Sequence, residues 1–328
     1  MKPAAVTPAS IAAAVRAAAP RLSGQVVCTP VVASPWLSAA CAREVRLKLE
    51  NVQATGSFKL RGASHALANL GPSVRARGVV AASSGNHGLG LAAAGQRLGV
   101  AVTVFVPTTT PAAKQRAIAA LGAEVCVHGD DCVLTEQHAR AVAAATGRAY
   151  VSPYNDADVV AGQGTIAVEL LAQWPEVETV YVALGGGGLI GGMAAYAKSV
   201  RPQLEFVACS PAASPAMAQC VRRGRIVDVA CGETLSDSTA GGVEPGAITF
   251  ELCRDLVDRF VDVDEPAIAA AVLGMLEHHH QLVEGAAGVA IAGCLADAAA
   301  RGQSAAIVVC GANLPLPTLR ALLESTAH

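Results

Sequence analysis

Short apolar runs alternate with alanine-rich helical stretches along almost the whole chain, and few folds accept that order. The runs EVRLKLE (44–50), VVAAS (79–83), VAVTVFVP (100–107), AEVCVHG (123–129), TVYVALGGGG (179–188), LEFVACSP (204–211) and AAIVVCGAN (305–313) read as buried strands. Between them SGNHGLGLAAAGQRLG (84–99), TTPAAKQRAIAALG (109–122), LTEQHARAVAAATG (134–147) and LIGGMAAYAKSV (189–200) read as helices closed by glycine or a polar turn. A helix between two strands returns the chain to the same end of a sheet, so the strands run parallel and helices cover both faces. At 328 residues the chain exceeds one ordinary small domain. The pattern restarts after YVSPYNDADVVAGQGTIAVELLAQWP (150–175), which predicts an α/β protein of two αβα domains with mostly parallel, twisted sheets. The smaller spans residues 67–155, and the larger combines 1–66 with 156–328. No further regulatory domain is expected after the last strand.

Composition narrows the function classes. Hydrophobic residues are 52% of the chain, enough for two cores, while only 15% are charged and the net charge is -2. A nucleic-acid binder needs a basic surplus, and base-stacking surfaces need more aromatics than the 3% present. The N-terminal segment opens with a helix capped by Thr7 and lacks the apolar core of a signal peptide. No apolar run is long enough to span a bilayer, so no membrane anchor is expected. The 10 cysteines include no C-x-x-C pair and lie mostly in apolar surroundings, which reads as buried reduced thiols in a cytoplasmic protein.

Four stretches carry chemistry. In NVQATGSFKLRGASHAL (51–67), Lys59 follows a Gly-Ser-Phe turn and starts a helix. It is either a solvated lysine on a helix end or an amine held in an apolar site, able to lose its proton and attack a carbonyl. SSGNHG (83–88) sits where a strand ends and a helix begins, the edge at which parallel sheets bind ligands, and its free amides suit an anion. LGGGGLIGG (184–192) places four successive glycines there; their backbone entropy cost calls for a close ligand, and their amides form an anion cup. The run also fits G-x-G-x-x-G, but the next strand ends in Cys209-Ser210 instead of an acidic residue, which favours a phosphate monoester over a dinucleotide. CGAN (310–313) marks a third strand end, where Cys310 is either a buried thiol or a partner for a heteroaromatic nitrogen. EHHHQ (277–281) resembles a metal tag, yet consecutive helical residues point in different directions, so His278, His279 and His280 are expected to be mostly solvated.

In this order, TPVVASPWLS (29–38), KLENVQATGSFKLRGA (48–63), SSGNHG, VAGQGTIAVELL (160–171), GGGGLIGG, EGAAGVA (284–290) and CGAN closely resemble the serine/threonine dehydratase family of pyridoxal-phosphate (PLP) enzymes, fold type II. The resemblance covers nearly the whole chain. It implies that Lys59 is the Schiff-base lysine, that Phe58 packs beside the cofactor ring and that Asn86 bonds the ring hydroxyl. It implies further that Gly185, Gly186, Gly187 and Gly188 hold the phosphate, closed by Leu189, and that Cys310 faces the pyridine nitrogen. Ser84 matches the position that acts as an acid/base on the opposite ring face in related racemases. Ser83, Ser84, Asn86 and His87 lie on the loop for the substrate carboxylate. The implied reaction is removal of the Cα proton by Lys59 and loss of a β-hydroxyl, giving a 2-oxo acid and ammonia. A thiol at the ring nitrogen cannot hold a protonated ring as a carboxylate would, which favours elimination over transamination.

The chain departs from the family in two places. Ser210 and Ala216 stand where members with a divalent-ion site place carboxylates, so no metal is expected. The loop ETLSDSTAGGVEPGAITFELC (233–253) carries Ser236-Asp237-Ser238 where many dehydratases have Ala-Asp-Gly, and it looks like the loop of hydroxyectoine-utilisation dehydratases. Asp237 is expected either to orient the substrate or to form the turn. The expected partner is a small amino acid substrate, with no nucleic acid and no membrane, in a homodimer. A racemase on the same fold, using Ser84 as second base, and a nucleotide-binding protein using the glycine run are the alternatives.

Overall fold

Strands rich in valine and alanine, buried along their whole length, need cover on both faces, and the computed structural model supplies it with helices. The structure describes residues 6–325; the first residues of the N-terminal segment discussed above lie outside them. Among the described residues, ten strands form two sheets. They are β1 (Val31–Ala33), β2 (Glu44–Leu49), β3 (Val79–Ala82), β4 (Val102–Val106), β5 (Glu124–Val127), β6 (Ala149–Tyr150), β7 (Thr179–Ala183), β8 (Glu205–Pro211), β9 (Arg259–Val263) and β10 (Ser304–Val309).

The six-stranded sheet has the order β1-β2-β10-β7-β8-β9, and the four-stranded sheet the order β5-β4-β3-β6. Every pairing is parallel except β1 with β2. β7 and β10 are buried at every residue, as interior parallel strands are. The last strand in the chain therefore lies inside the sheet, paired with both β2 and β7. Separate cores fill the two sheets: Leu47, Val180, Phe206, Ile291 and Ile307 in the larger, and Leu67, Val79, Val104 and Ile118 in the smaller.

The seven strand runs read from the sequence all form strands. Three further strands carry a weaker signal. β1 has three residues, β6 two, and β9, RFVDV, mixes charge with apolar residues at the sheet edge. Helix Cys132–Thr146 starts before Leu134 because Asp131 caps it, accepting the Leu134 amide at 2.8 Å. Helix Lys59–Asn69 runs across the expected domain boundary at residue 67 and packs on helices Asn86–Leu98 and Ala157–Gln173. No helix among the described residues is long and apolar enough to cross a membrane.

Two side-chain expectations hold in part. His278 and His280 are exposed, as expected, with the His278 ring centroid 4.8 Å from that of Trp36, whereas His279 is half-buried and bonded to Ser34 Oγ at 2.7 Å. All ten cysteines are free, but Cys28, Cys132 and Cys231 are exposed, so only some of the thiols are buried.

Candidate active site

Three strand ends meet at one place. β3 leads into Ser83–Gly88, β7 into Gly185–Gly188, and β10 into Cys310–Asn313. The segment before helix Lys59–Asn69 is pinned to the third of these. The Phe58 amide donates to the Cys310 carbonyl at 3.1 Å, Ser57 bridges Gly311, and the Ala312 amide donates to the Gly56 carbonyl at 2.8 Å. Lys59 thus starts its helix beside Cys310.

Lys59 is half-buried, with its Nζ at the inner end donating to the Pro153 carbonyl at 2.8 Å and lying 5.2 Å from the Phe58 ring centroid. Loss of hydration pushes its ammonium down from 10.5 to about 8, against the opposing negative charge of Glu284. This is the apolar-site lysine of the two alternatives. The start of its helix is anchored by Arg61, fully buried, which donates to Glu50 at 2.7 Å through Nε and Nη2 and to Glu169 at 2.6 and 2.8 Å. Truncating Arg61 would leave buried carboxylates unpaired, at a cost of about 3–5 kcal/mol.

The glycine run opens helix Gly188–Val200. Gly187 caps it at φ +84, a backbone region that favours glycine. The Gly191 amide donates to the Gly187 carbonyl at 2.9 Å, so the amides of the first turn before it have no intrahelical carbonyl and face outward for an anion. A Cβ on Gly186 would lie 2.3 Å from the Tyr154 ring, so the cup closes only on glycine. Cys310, buried, is held as a neutral thiol because burial and the nearby Glu284 push it well above the ordinary range.

Asn86 is buried and donates through Nδ2 to both oxygens of Glu284, at 2.9 and 3.0 Å, while its Oδ1 accepts from Asn313 Nδ2 at 2.6 Å. Glu284 also accepts from Ser238 Oγ at 2.9 Å and from the Asn313 amide at 3.1 Å. Burial pushes this carboxyl above its usual range, against the hydrogen bonds from Asn86 and Ser238. Glu284 joins the end of β3 to the end of β10, and sequence reasoning gave it no role. No local pattern singles it out: it stands at the N-cap of helix Gly285–Ala296, where an acidic residue is ordinary, and only the structure shows that its side chain does not bond its own helix.

The remaining expected residues are placed as follows. Ser83 and Ser84 are half-buried in the turn after β3, with Ser83 Oγ accepting the Gly85 amide at 3.3 Å. His87 is buried and bonded through Nε2 to the Val151 carbonyl at 2.9 Å; burial lowers its pKa to about 3, so the ring is neutral and donates there. Leu189 is buried behind the cup. Asp237, more than half exposed, accepts from Lys114 Nζ at 3.1 Å. Ser210 and Ala216 are buried, and no group of three metal-ligating side chains is placed to hold an ion among the described residues.

A buried lysine amine, a helix start of bare glycine amides and a neutral thiol, brought together at these strand ends, fit pyridoxal phosphate: an aldehyde, a phosphate and a heteroaromatic ring. Residues 22–311 match the family described as "Pyridoxal-phosphate dependent enzyme", and the chain belongs to that family. It is 40% identical to an L-threonine ammonia-lyase of Thermotoga maritima over 87% of this chain and 71% of that one. It is 34% identical to the catabolic L-threonine dehydratase of Escherichia coli over 90% and 91%. Among solved structures, processed threonine deaminase isoform 2 of Solanum lycopersicum superposes with a TM-score of 0.92 at 30% identity, covering 99% of this chain and 91% of that chain. Maize serine racemase does so at 0.89 and 31%, covering 96% and 98%. The fold is PLP fold type II, the cofactor is pyridoxal 5'-phosphate, and the chain is a PLP-dependent carbon–oxygen lyase, a dehydratase.

Proposed function

We propose that this dehydratase acts on a β-hydroxy amino acid bulkier than serine, releasing a 2-oxo acid and ammonia. The observation that supports the substrate reading is where the loop after Ser236 sits: Ser238 Oγ bonds Glu284 at 2.9 Å beside Asn86, and the residues that follow, Gly241 and Gly242, carry no side chain to fill the space past Cβ. Threonine, named for the relatives, phenylserine and a hydroxyectoine-derived acid are the candidates.

PLP, when bound, supplies the electron sink for the negative charge at Cα. The protein supplies position and proton transfer. The first-turn amides of helix Gly188–Val200 hold the phosphate, with Gly185–Gly188 and Leu189 as its walls. Cys310 presents a neutral thiol to the ring nitrogen, and Asn86, held by Glu284 and Asn313, presents its amide to the ring hydroxyl. Lys59 carries the cofactor and takes the Cα proton, a role for which an amine titrating near neutrality is suited. Ser83, Ser84 and His87 border the site for the substrate carboxylate, and Asp237 borders the β-substituent. The small unit of residues 67–155 supplies the carboxylate side, and residues 1–66 with 156–328 supply the cofactor side. The ten free thiols support a cytoplasmic setting, and the reading includes a homodimer, checked by light scattering of the purified protein.

The test is kcat/KM over serine, threonine, phenylserine and a hydroxyectoine-derived acid, with ammonia, 2-oxo acid and chirality all measured. Serine as best substrate removes the argument from the loop. The alternative role, racemisation through Ser84, is favoured by the likeness to maize serine racemase and predicts inverted amino acid without ammonia.

A further inference from the structure

We infer that Tyr154 is a positioning residue that locks the substrate loop, residues 233–247, onto the phosphate-binding glycines, so that cofactor occupancy and loop order rise together. This rests on the proposed use of that loop. No motif in the sequence singles out Tyr154, which stands in the segment after β6.

Its ring lies flat against the cup. A Cβ on Gly186 would come within 2.3–2.7 Å of three ring carbons, and one on Gly188 within 3.2 Å of the tyrosine Cβ. The other end of the side chain holds the loop, since the Tyr154 hydroxyl accepts the Glu244 amide at 3.0 Å. The neighbours of Tyr154 act alike. Ser152 Oγ donates to the Glu244 carboxylate at 3.4 Å, and Asn155 Oδ1 accepts the Ile248 amide at 2.9 Å. The Pro153 carbonyl holds Lys59 Nζ. Arg140, from helix Cys132–Thr146, grips Glu244 from outside at 2.6 Å.

The loop touches the cup at its other end too. A Cβ on Gly185 would lie 2.9 Å from Thr239 Cα, and Ser238 bonds Glu284. Loop and cup are therefore one packed body, with Tyr154 as the side chain that reaches from glycine to loop amide. A ligand that fixes the glycines stabilises what the glycines pack on, and by linkage an ordered loop must favour the ligand to the same degree. If Tyr154 only filled space, its hydroxyl would be dispensable.

The test uses the full chain and needs no substrate. Hydrogen exchange over residues 237–248 of the holoenzyme is compared between wild type, Tyr154→Phe and Tyr154→Ala, and PLP affinity is measured by titrating each protein after removal of the cofactor. Tyr154→Phe keeps the ring and removes the hydroxyl, so loop exchange should quicken about three- to tenfold, the range for one lost hydrogen bond. PLP affinity should fall in step. Tyr154→Ala should lose a further factor of affinity because the cup loses its backing. Wild-type exchange in Tyr154→Phe overturns the inference, and so does faster exchange with unchanged PLP affinity in that variant. Should Tyr154→Ala not fold, Tyr154→Phe decides alone. A failed substrate panel leaves these readouts untouched, so the two ideas fail separately.

Discussion

If Lys59 carries the cofactor as proposed, the state of its amine sets how fast the protein captures PLP, because only a neutral amine attacks an aldehyde. An ordinary lysine titrates near 10.5, whereas the buried end of Lys59 is pushed down to about 8. The lowered value means that the neutral form accumulates above pH 8 instead of above 10.5. At pH 7 about 9% of Lys59 is then neutral, against about 0.03% for a free lysine, a gain of about three-hundredfold. The informative window is pH 8–10. There the neutral fraction of Lys59 rises only about twofold, while that of an unperturbed amine rises about 75-fold. Apoprotein would be mixed rapidly with PLP and the rate of visible absorbance gain followed from pH 6 to 10. A simple alkylamine under the same conditions corrects for titration of PLP itself and shows the unperturbed profile. The protein's rate should level off above pH 8 while the alkylamine's keeps climbing, and Lys59→Ala should show no covalent capture. Two profiles that run parallel to pH 10 would refute the claim that burial tunes this amine.

Three further outcomes follow from the same geometry. Gly187→Val places a β-branched residue at φ +84 with its Cβ 2.7 Å from Cys253 Sγ, a strain of about 1–3 kcal/mol at the cup, so PLP affinity should fall about tenfold or more in an equilibrium titration. Glu284→Gln removes a negative charge that favours protonated Lys59, so the midpoint of the capture profile should move below pH 8; a midpoint moving upward would contradict the sign. Chelation with EDTA should leave turnover unchanged, because Ser210 and Ala216 offer no carboxylate to a hard cation, and a loss restored by Mg²⁺ or Ca²⁺ would defeat that expectation.

The fold was legible because parallel strands leave a coarse signature. A strand covered on both faces must be apolar throughout, and β7 and β10 are. The strands without a clear signal, β1, β6 and β9, lie at sheet edges, where one side faces no partner and the apolar requirement relaxes. The candidate site was legible where chemistry restricts the backbone. A positive φ and a close aromatic ring admit little but glycine at 187 and 186, so those positions are visible in one sequence.

Residues that act by holding others were harder to find. Glu284 looked like an ordinary acidic residue at a helix start, and Arg61 like half of the Arg-Gly that follows Lys59. Their meaning lies in partners far away in sequence: Asn86 and Ser238 for the first, Glu50 and Glu169 for the second. The same holds for Asp237, whose ion pair with Lys114 of helix Ala112–Ala120 no local pattern announces. An exposed pair of this kind is worth about 0–1 kcal/mol, so it does not fix the loop by itself. What holds the loop lies deeper: the buried Glu284 carboxylate at one end and the half-buried Tyr154 at the other. The proposed reacting groups are thus set by local backbone rules and the proposed substrate loop by distant contacts. The loop can therefore change its residues while Lys59, the glycines and Cys310 keep their places.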